Sequence, residues 1–192
     1  MQDPFHSPES LLASFFSQSR VSHRLILLTG PSGSGKTSYC LELVSLAVAH
    51  SIDLNGLVSL PVFEKNYKIG IDLVDIASGE KRRLAHHRNY LKGTRPVKIT
   101  GPTTDEWRFD RHAFDWGNKI LERSMGCTLF ILDELGPLEF NRSQGLISGL
   151  RHVDEKRYHL GVIVVRPALL TQARTRWPWG ELVQTDSFME AR

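Results

Sequence analysis

Apolar and polar positions divide this chain into two kinds of segment. Unbroken apolar runs are typical of strands that are buried on both faces of a parallel sheet. Such runs predict core strands over residues 24–29, 57–60, 128–132 and 158–165, and a last edge strand over 181–185. Between them, apolar residues recur near the helical period, which predicts helices over residues 7–20, 37–50, 110–124, 142–153 and 167–175. Strands that alternate with helices indicate an α/β fold with a mainly parallel sheet between helical layers.

The predicted first helix has a recognisable start and one apolar face. Ser7 is placed as the N-cap, with a proline and an acidic residue in the first turn, as helix starts prefer. The apolar face consists of Leu11, Leu12, Phe15 and Phe16. We expect this face to pack on the rest of the chain, although a partner-binding role is an alternative.

Between the second and third core strands, apolar residues alternate with acidic ones. Residues 71–77 read IDLVDIA, Ser78 and Gly79 give a turn signal, and the basic stretch KRRLAHHR follows shortly after. This pattern predicts a β-hairpin with one solvated face. The hairpin is the core of a predicted insertion over about residues 61–109.

Glycine and proline mark the other interruptions of the pattern. Asn55 and Gly56 are interpreted as a break before the second core strand. Residues 82–102 contain several glycines and prolines and are predicted to form loops and short strands, while residues 177–180 are predicted to form a turn, since both residue types favour turns.

Length and composition indicate one globular domain over residues 1–192, with a helical extension at residues 1–20. The net charge of +3 is too small to indicate a nucleic acid partner by itself. No stretch approaches the ~18 apolar residues of a membrane span. Acidic residues at Asp3 and Glu9 stand where an export signal would be basic. We therefore expect a soluble, cytoplasmic protein that does not use a membrane.

Neither a disulfide nor a structural metal site is expected. Cys40 and Cys127 are far apart in sequence, and an intracellular chain with two cysteines favours buried thiols in a reducing compartment. His86 and His87 are adjacent, so they cannot share one helix face as metal ligands.

The strongest chemical signal is the glycine-rich stretch after the first predicted strand. It reads GPSGSGKT and fits G-x-x-x-x-G-K-[ST], the pattern of a phosphate-binding loop. Glycines let several backbone N–H groups converge on phosphate oxygens, and the following helix adds its positive N-terminal end. Lys36 would reach the β- and γ-phosphates, and the Thr37 hydroxyl would ligate Mg²⁺. The predicted phosphate-binding residues are Gly30, Pro31, Ser32, Gly33, Ser34, Gly35, Lys36, Thr37 and Ser38.

A second signal lies at the end of the strand TLFILDEL. It places Asp133 at the carboxyl edge of the sheet, where open α/β sheets bind ligands. Asp133 would hold Mg²⁺ together with Thr37, usually through water. The chain can turn where the strand ends, so that the next carboxylate, Glu134, can polarise an attacking water. A merely solvated Asp–Glu pair is the alternative, and the phosphate loop upstream favours the metal-binding and catalytic roles.

Three stretches follow one another along the chain: the phosphate loop, then GIDLVDIASGEKRRLA, then TLFILDELGPLEF. This order resembles the small nucleoside-triphosphatase family of the THEP type. The family signature D-E-[IL]-G-P-[LM]-E is matched at every position of residues 133–139, whereas the hairpin matches more loosely. The resemblance covers about residues 24–165.

The resemblance implies a three-layer, RecA-like P-loop core and the hydrolysis of ATP, GTP and other nucleoside triphosphates with broad base selectivity. It implies Mg²⁺ as the cofactor, Asp133 as the metal-linked acid and Glu134 as the water-activating acid. Two stretches depart from the family. Residues 61–65 read PVFEK where the family shows a glutamate and an arginine, and residues 93–107 lack the expected glycine-arginine-tyrosine stretch. Both departures concern the surroundings of the γ-phosphate.

Phosphoryl transfer gains from an arginine near the γ-phosphate. Arg166 directly follows a predicted core strand and is the first candidate, with a catalytic role beside Glu134 and Lys36. Arg95, between Thr94 and Pro96, is the second candidate. A surface or capping role is the alternative for each arginine.

A basic block follows the predicted hairpin turn. It contains Lys81, Arg82, Arg83, Arg88, Lys92, Arg95 and Lys98. Such a block can bind an RNA backbone, clamp a nucleotide as a kinase lid does, or form a solvated hairpin face. No RNA-binding motif accompanies it, so nucleic acid is compatible with the sequence but is not required by it.

Three functions therefore stay open. The first is Mg²⁺-dependent hydrolysis of a nucleoside triphosphate, which the glutamate next to Asp133 favours. The second is a nucleotide or nucleoside kinase, and the third is a slow ATP-binding switch that acts with an RNA or protein partner. No Asn-Lys-x-Asp run occurs, which argues against a dedicated GTPase of the Ras kind.

Overall fold

A computed structural model describes residues 7–17, 23–90, 100–123 and 126–185 of the chain. Its helices are α1 (Pro8–Ser17), α2 (Lys36–Ala49), α3 (Arg111–Arg123), α4 (Pro137–Arg142), α5 (Ile147–Asp154) and α6 (Leu170–Arg176). Its strands are β1 (Arg24–Thr29), β2 (Leu54–Glu64), β3 (Tyr67–Asp75), β4 (Lys81–His87), β5 (Trp107–Phe109), β6 (Cys127–Leu135), β7 (Tyr158–Val165) and β8 (Glu181–Gln184). A 3₁₀ turn at Pro167–Leu169 leads into α6.

The described strands form one eight-stranded sheet in the order β5-β4-β3-β2-β6-β7-β1-β8. The five strands β2, β6, β7, β1 and β8 run parallel, whereas β3, β4 and β5 extend the sheet in antiparallel fashion beyond β2. The predicted α/β fold with a mainly parallel sheet and a hairpin region is therefore confirmed.

Two hydrophobic cores lie on opposite faces of this sheet. Alternate residues of β1 divide between them: Leu25 and Leu27 face one core, and Ile26 and Leu28 face the other. Helices α3 and α5 and the residues around α6 cover the first face, while α1 and α2 cover the second. A strand with two covered faces needs apolar residues at every position, which explains the unbroken run in β1.

Helix α1 begins where the sequence predicts. The Ser10 amide donates to Ser7 Oγ at 3.2 Å, which caps the helix start. Leu11 and Leu12 are buried in the core that α2 also lines, so the expected packing of this helix is confirmed. Phe16, which we placed on the same face, is instead 57% exposed. The predicted helix end at residues 18–20 lies outside the described residues.

The predicted break at Asn55 and Gly56 is wrong, because both residues lie inside β2. Gly56 pairs with Ile131 of the neighbouring parallel strand and has a φ of 133°. A Cβ atom at this position would lie 1.8 Å from the Ile131 carbonyl oxygen. The glycine therefore marks a close approach of two backbones, which is the other common meaning of glycine in a strand.

A second hairpin was missing from the sequence interpretation. Strand β2 continues to Glu64 and pairs with β3 across Lys65 and Asn66. Both turn residues have positive φ values, 45° and 68°, as two-residue hairpin turns require. Pro61 and the charged residues near the turn end the apolar run early, so the pattern alone predicted a shorter strand.

The hairpin of β3 and β4 is confirmed, with antiparallel pairing of Gly70 to His86 and Val74 to Lys81. The Ser78 hydroxyl donates to Asp75 Oδ2 at 2.6 Å within the turn. Helix α3, strand β7, the turn after α6 and the edge strand β8 are also confirmed.

One predicted helix starts later than the sequence indicates. We expected a helix over residues 142–153, but α4 ends at Arg142 and α5 starts at Ile147. Ser143 and Gly145 between them have φ values of 49° and 82°, which no helix accommodates. The loop leaves the helical path because its backbone is tied to a buried carboxylate, as described below.

Cys40 and Cys127 are buried thiols and do not form a disulfide, as expected. Among the described helices, none combines the length and the apolar character that crossing a membrane requires.

Candidate active site

Three neighbouring strands bring the predicted site residues to one edge of the sheet. Strand β7 lies between β6 and β1, and all three are parallel. The phosphate loop follows β1, Arg166 follows β7, and Asp133 and Glu134 lie near the end of β6. Residues as far as 96 positions apart in sequence therefore meet, because the carboxyl ends of parallel strands share one edge.

The phosphate loop connects β1 directly to α2. Gly33 and Gly35 have φ values of 82° and 89°, a backbone region that favours glycine. These two residues let the loop turn sharply before the first N–H groups of α2, which begins at Lys36. Pro31, Ser32 and Gly33 are exposed, so the loop surface is accessible to a ligand.

Lys36 is held over its own loop. Its Nζ donates to the carbonyl oxygens of Gly30 at 2.7 Å and Pro31 at 2.5 Å. These contacts place the charge at the mouth of the loop, where phosphate oxygens would compete with two neutral carbonyls for it. A charged partner forms the stronger hydrogen bond, so the lysine is positioned for the predicted role.

The loop has an anchor that the sequence did not reveal. Ser34 is buried and its Oγ lies 2.5 Å from Oγ1 of Thr185, directly after the edge strand β8. The Thr185 amide in turn donates to the Thr29 carbonyl at 3.0 Å. Ser34 therefore fixes the loop to the end of the sheet, and a threonine 151 positions away offers no local signal of this contact.

The two halves of the predicted metal site are in contact. Thr37 Oγ1 donates to Asp133 Oδ2 at 2.8 Å, which joins the start of α2 to the end of β6. Asp133 is only 3% exposed. Burial raises its pKa to about 6, and the hydrogen bond from Thr37 opposes part of this shift. A cation near these oxygens would stabilise the ionised carboxylate that burial disfavours.

Glu134 and Arg166 form a two-pronged ion pair. Arg166 Nε donates to one carboxylate oxygen at 2.7 Å, and Nη2 donates to the other at 3.0 Å. Their side chains are 30% and 52% exposed, respectively. The hydrogen bond to Glu134 is the largest cause of a raised pKa at Arg166. The arginine thus fixes the carboxylate plane and leaves further lone pairs free to accept hydrogen bonds.

Glu139 organises the loop beyond these residues, a role that the sequence did not reveal. Its buried carboxylate accepts the Gly136 amide at 2.8 Å and the Leu146 amide at 2.9 Å. It thereby joins the start of α4 to the start of α5. Burial raises the pKa of Glu139, and the two amides oppose the shift. The only sequence signal was its position as the last letter of the matched signature.

The basic block is only partly described. Arg83 pairs with Asp72 at 2.5 Å, and Arg82 pairs with Glu80 at 2.9 Å. Arg88 donates to the Asp105 carbonyl at 3.4 Å. These contacts within the chain favour the solvated hairpin face, while the RNA-binding and lid roles stay predictions. Lys92, Arg95 and Lys98 lie outside the described residues, and with them the second arginine candidate.

Comparison with known families and proteins gives a consistent result. A family described as NTPase matches residues 25–182, which is most of the chain. The nucleoside-triphosphatase THEP1 of Caldivirga maquilingensis is 28% identical over 130 residues, covering 68% of this chain and 66% of that protein. THEP1 of Pyrobaculum aerophilum is 30% identical over 113 residues, covering 59% of this chain and 58% of that protein. The chain thus spans less than two thirds of the length of either relative.

Two solved structures share the fold. The solution structure of a human cancer-related nucleoside triphosphatase aligns with a TM-score of 0.60 and 20% identity, covering 84% of this chain and 88% of that one. The crystal structure of THEP1 from Aquifex aeolicus aligns with a TM-score of 0.57 and 19% identity, covering 85% and 90%. At this level of identity, the likeness concerns the fold.

Proposed function

This chain belongs to the NTPase family, and on that premise we propose that it is a Mg²⁺-dependent nucleoside-triphosphatase. It cleaves the γ-phosphate of a nucleoside triphosphate with water and releases the diphosphate and phosphate. The observation that carries the proposal is the contact of 2.8 Å between Thr37 and Asp133, which joins the phosphate loop to the strand that presents Glu134.

The residues present suit a magnesium ion. A threonine hydroxyl and a carboxylate in contact provide the hard oxygen ligands that Mg²⁺ prefers. Thr37 and Asp133 would hold the ion, Asp133 through water. When bound, the ion would neutralise charge on the phosphate oxygens. Burial raises the pKa of the Asp133 carboxyl to about 6, and a bound cation would favour its ionised form.

The residues of the chain divide the remaining tasks. Backbone N–H groups of the phosphate loop, from residues other than Pro31, bind the phosphates. Lys36 contributes a positive charge at the β- and γ-phosphates. Glu134 orients a water molecule and accepts its proton. Arg166 holds both carboxylate oxygens of Glu134 and contributes positive charge beside the transferring group. This arrangement keeps the base oriented before the substrate arrives.

We further propose that base selectivity is broad. The guanine-reading run Asn-Lys-x-Asp does not occur in the sequence. The proposed contacts are all made to phosphate groups and metal, which are common to every nucleoside triphosphate. Phosphate release measured with ATP, GTP, CTP and UTP tests this point, and a preference for one base by orders of magnitude would contradict it.

The experiment for hydrolysis is the substitution Glu134→Gln. The amide keeps the shape of the side chain but cannot accept the proton of water, so phosphate release should be lost while nucleotide binding persists. Phosphate release and calorimetric binding of a nucleoside triphosphate are measured on the same preparation. Glu122→Gln is the matched control, because it makes the same chemical change on α3, where the carboxylate accepts the Ser148 hydroxyl. Near-normal hydrolysis by Glu134→Gln would remove the proposed role of this residue.

A further inference from the structure

A cavity of about 340 Å³ lies beside the candidate active site. This size is at the lower end of the range of about 300–1,000 Å³ that is typical of small-molecule sites. Glu134 and Arg166 belong to its wall, whereas no residue of the phosphate loop does. The cavity therefore lies next to the phosphate-binding region, and the proposed catalytic pair, Glu134 and Arg166, separates the two.

The wall of the cavity is mostly apolar and partly aromatic. Strands β3, β4 and β5, helix α3 and the loop around α4 contribute Ile71, Leu84, Trp107, Phe109, Phe114, Leu138 and Leu146. Phe109 and Phe114 stack on each other with ring centroids 5.4 Å apart. Trp107 is fixed from another side, since Lys68 lies 5.1 Å from its ring centroid. A partly aromatic wall of this kind favours a flat ring as the ligand.

The charged residues of the wall are predominantly acidic. Asp105, Glu106, Glu134 and Glu139 face one cation, Arg166, among the described lining residues. Arg166 is already paired with Glu134, and Glu139 is occupied by two backbone amides. Asp105 and Glu106 are exposed at the rim and can accept hydrogen bonds from an incoming ligand. Such a wall repels a phosphorylated ligand and favours an uncharged one with amino or hydroxyl donors.

We propose that this cavity binds a nucleoside, with its base against the aromatic wall and its donors toward the acidic rim. The site is separate from the one that holds the triphosphate. A bound nucleoside also displaces water beside Glu134, so it should slow phosphate release. This second effect rests on the proposed hydrolysis, whereas nucleoside binding does not.

Calorimetry tests the binding. Adenosine, guanosine, cytidine and uridine are titrated into the protein alone and into the protein saturated with Mg²⁺ and a non-hydrolysable nucleoside triphosphate. We expect saturable binding of at least one nucleoside that persists in the second titration. The corresponding 5′-monophosphate should bind more weakly, because its charge meets the acidic rim. Binding that disappears when the triphosphate analogue is present would overturn the proposal, since the nucleoside would then occupy the substrate's own base site.

Two sets of variants locate the site. Trp107→Leu should weaken nucleoside binding, while Trp179→Leu, which changes a tryptophan outside the cavity wall, should not. The double variant Asp105→Asn with Glu106→Gln alters only exposed side chains. It should reduce the difference in affinity between the nucleoside and its 5′-monophosphate. Equal loss of nucleoside binding in both tryptophan variants would overturn the proposed location. So would a double variant in which the difference in affinity between nucleoside and monophosphate is unchanged.

Phosphate release provides the coupled measurement. Its loss with increasing nucleoside should have the same midpoint as calorimetric binding. Absence of any saturable nucleoside binding would overturn the proposed second site but would leave the proposal of hydrolysis unaffected. Conversely, normal hydrolysis by Glu134→Gln would contradict the catalytic assignment while nucleoside binding persisted.

Discussion

The ion pair between Glu134 and Arg166 gives the sharpest prediction. Arg166→Ala removes the two-pronged contact that holds both carboxylate oxygens at 2.7 and 3.0 Å. It leaves the backbone of β7 and the phosphate loop untouched. The variant therefore tests whether Arg166 contributes to turnover or only to the stability of the fold.

The structure sets different magnitudes for these two effects. The Arg166 side chain is 52% exposed and that of Glu134 is 30% exposed, and pairs exposed to this extent contribute up to about 1 kcal/mol to stability. For a chain of this size, such a loss lowers Tm by about 2–4 °C. In contrast, loss of an oriented base or of a transition-state arginine lowers kcat by about 10²-fold or more. A role in turnover is thus separable from a role in stability.

The assay measures phosphate release at saturating nucleoside triphosphate and Tm on the same samples. Arg176→Ala is the matched control, because Arg176, at the C-terminal end of α6, forms a similarly exposed two-pronged pair with Asp154. Both variants should lose a few degrees of Tm at most, and only Arg166→Ala should lose turnover. Arg166→Lys keeps the charge without the planar fork and should fall between wild type and Arg166→Ala. Turnover of Arg166→Ala that equals that of Arg176→Ala would refute the reasoning.

Three further predictions concern buried groups. Glu139→Gln presents an amide to two backbone donors and leaves one of them unpaired. This change should lower the free energy of unfolding, measured in urea, by about 1–3 kcal/mol. An unchanged midpoint of urea unfolding would contradict the role of this carboxylate. Gly56→Ala should prevent folding because its Cβ would overlap a carbonyl oxygen. Gly126→Ala is also at positive φ, but its Cβ would lie 3.9 Å from the Arg157 carbonyl oxygen, so it should fold with a modest loss of Tm. Burial lowers the pKa of His152 below its usual 6.5. As the pH falls, the His152 imidazole therefore binds a proton in the unfolded chain at a higher pH than in the folded one. The free energy of unfolding should consequently decrease as the pH drops below about 6.5. His152→Gln should flatten this dependence of Tm on pH, while His159→Gln at the surface should not; equal slopes in both variants would contradict the assignment.

Elements with an unbroken apolar run were predictable from the sequence. Strands β1 and β7 start and end where the predicted runs do, because a strand covered on both faces is apolar at most of its positions. Strand β2 was predicted too short. Beyond Leu60 most of its residues are exposed. Its length is set by pairing with β3, which the pattern of a single strand cannot show.

The division between α4 and α5 illustrates a second limit. Residues 142–153 look helical by period, but the Glu139 carboxylate captures the Leu146 amide at 2.9 Å. A tertiary hydrogen bond to a buried charge outweighs the modest helix propensity of a short segment. The phosphate loop was predictable, since it carries its own spacing and follows β1, whose predicted limits are confirmed. Strand β6 was located correctly but predicted too short, because it continues past residue 132 to Leu135 and contains both Asp133 and Glu134.

The sequence by itself determined the α/β alternation, the phosphate loop at residues 30–37 and the carboxylates of Asp133 and Glu134 at a strand end. These features are local, because turn geometry and strand burial act on neighbouring residues. Only the tertiary structure decided that Thr37 contacts Asp133, that Arg166 grips Glu134, and that a cavity opens beside them. The order β6-β7-β1 places these groups side by side. Such adjacency depends on the packing of distant strands, and no local pattern in the chain encodes it.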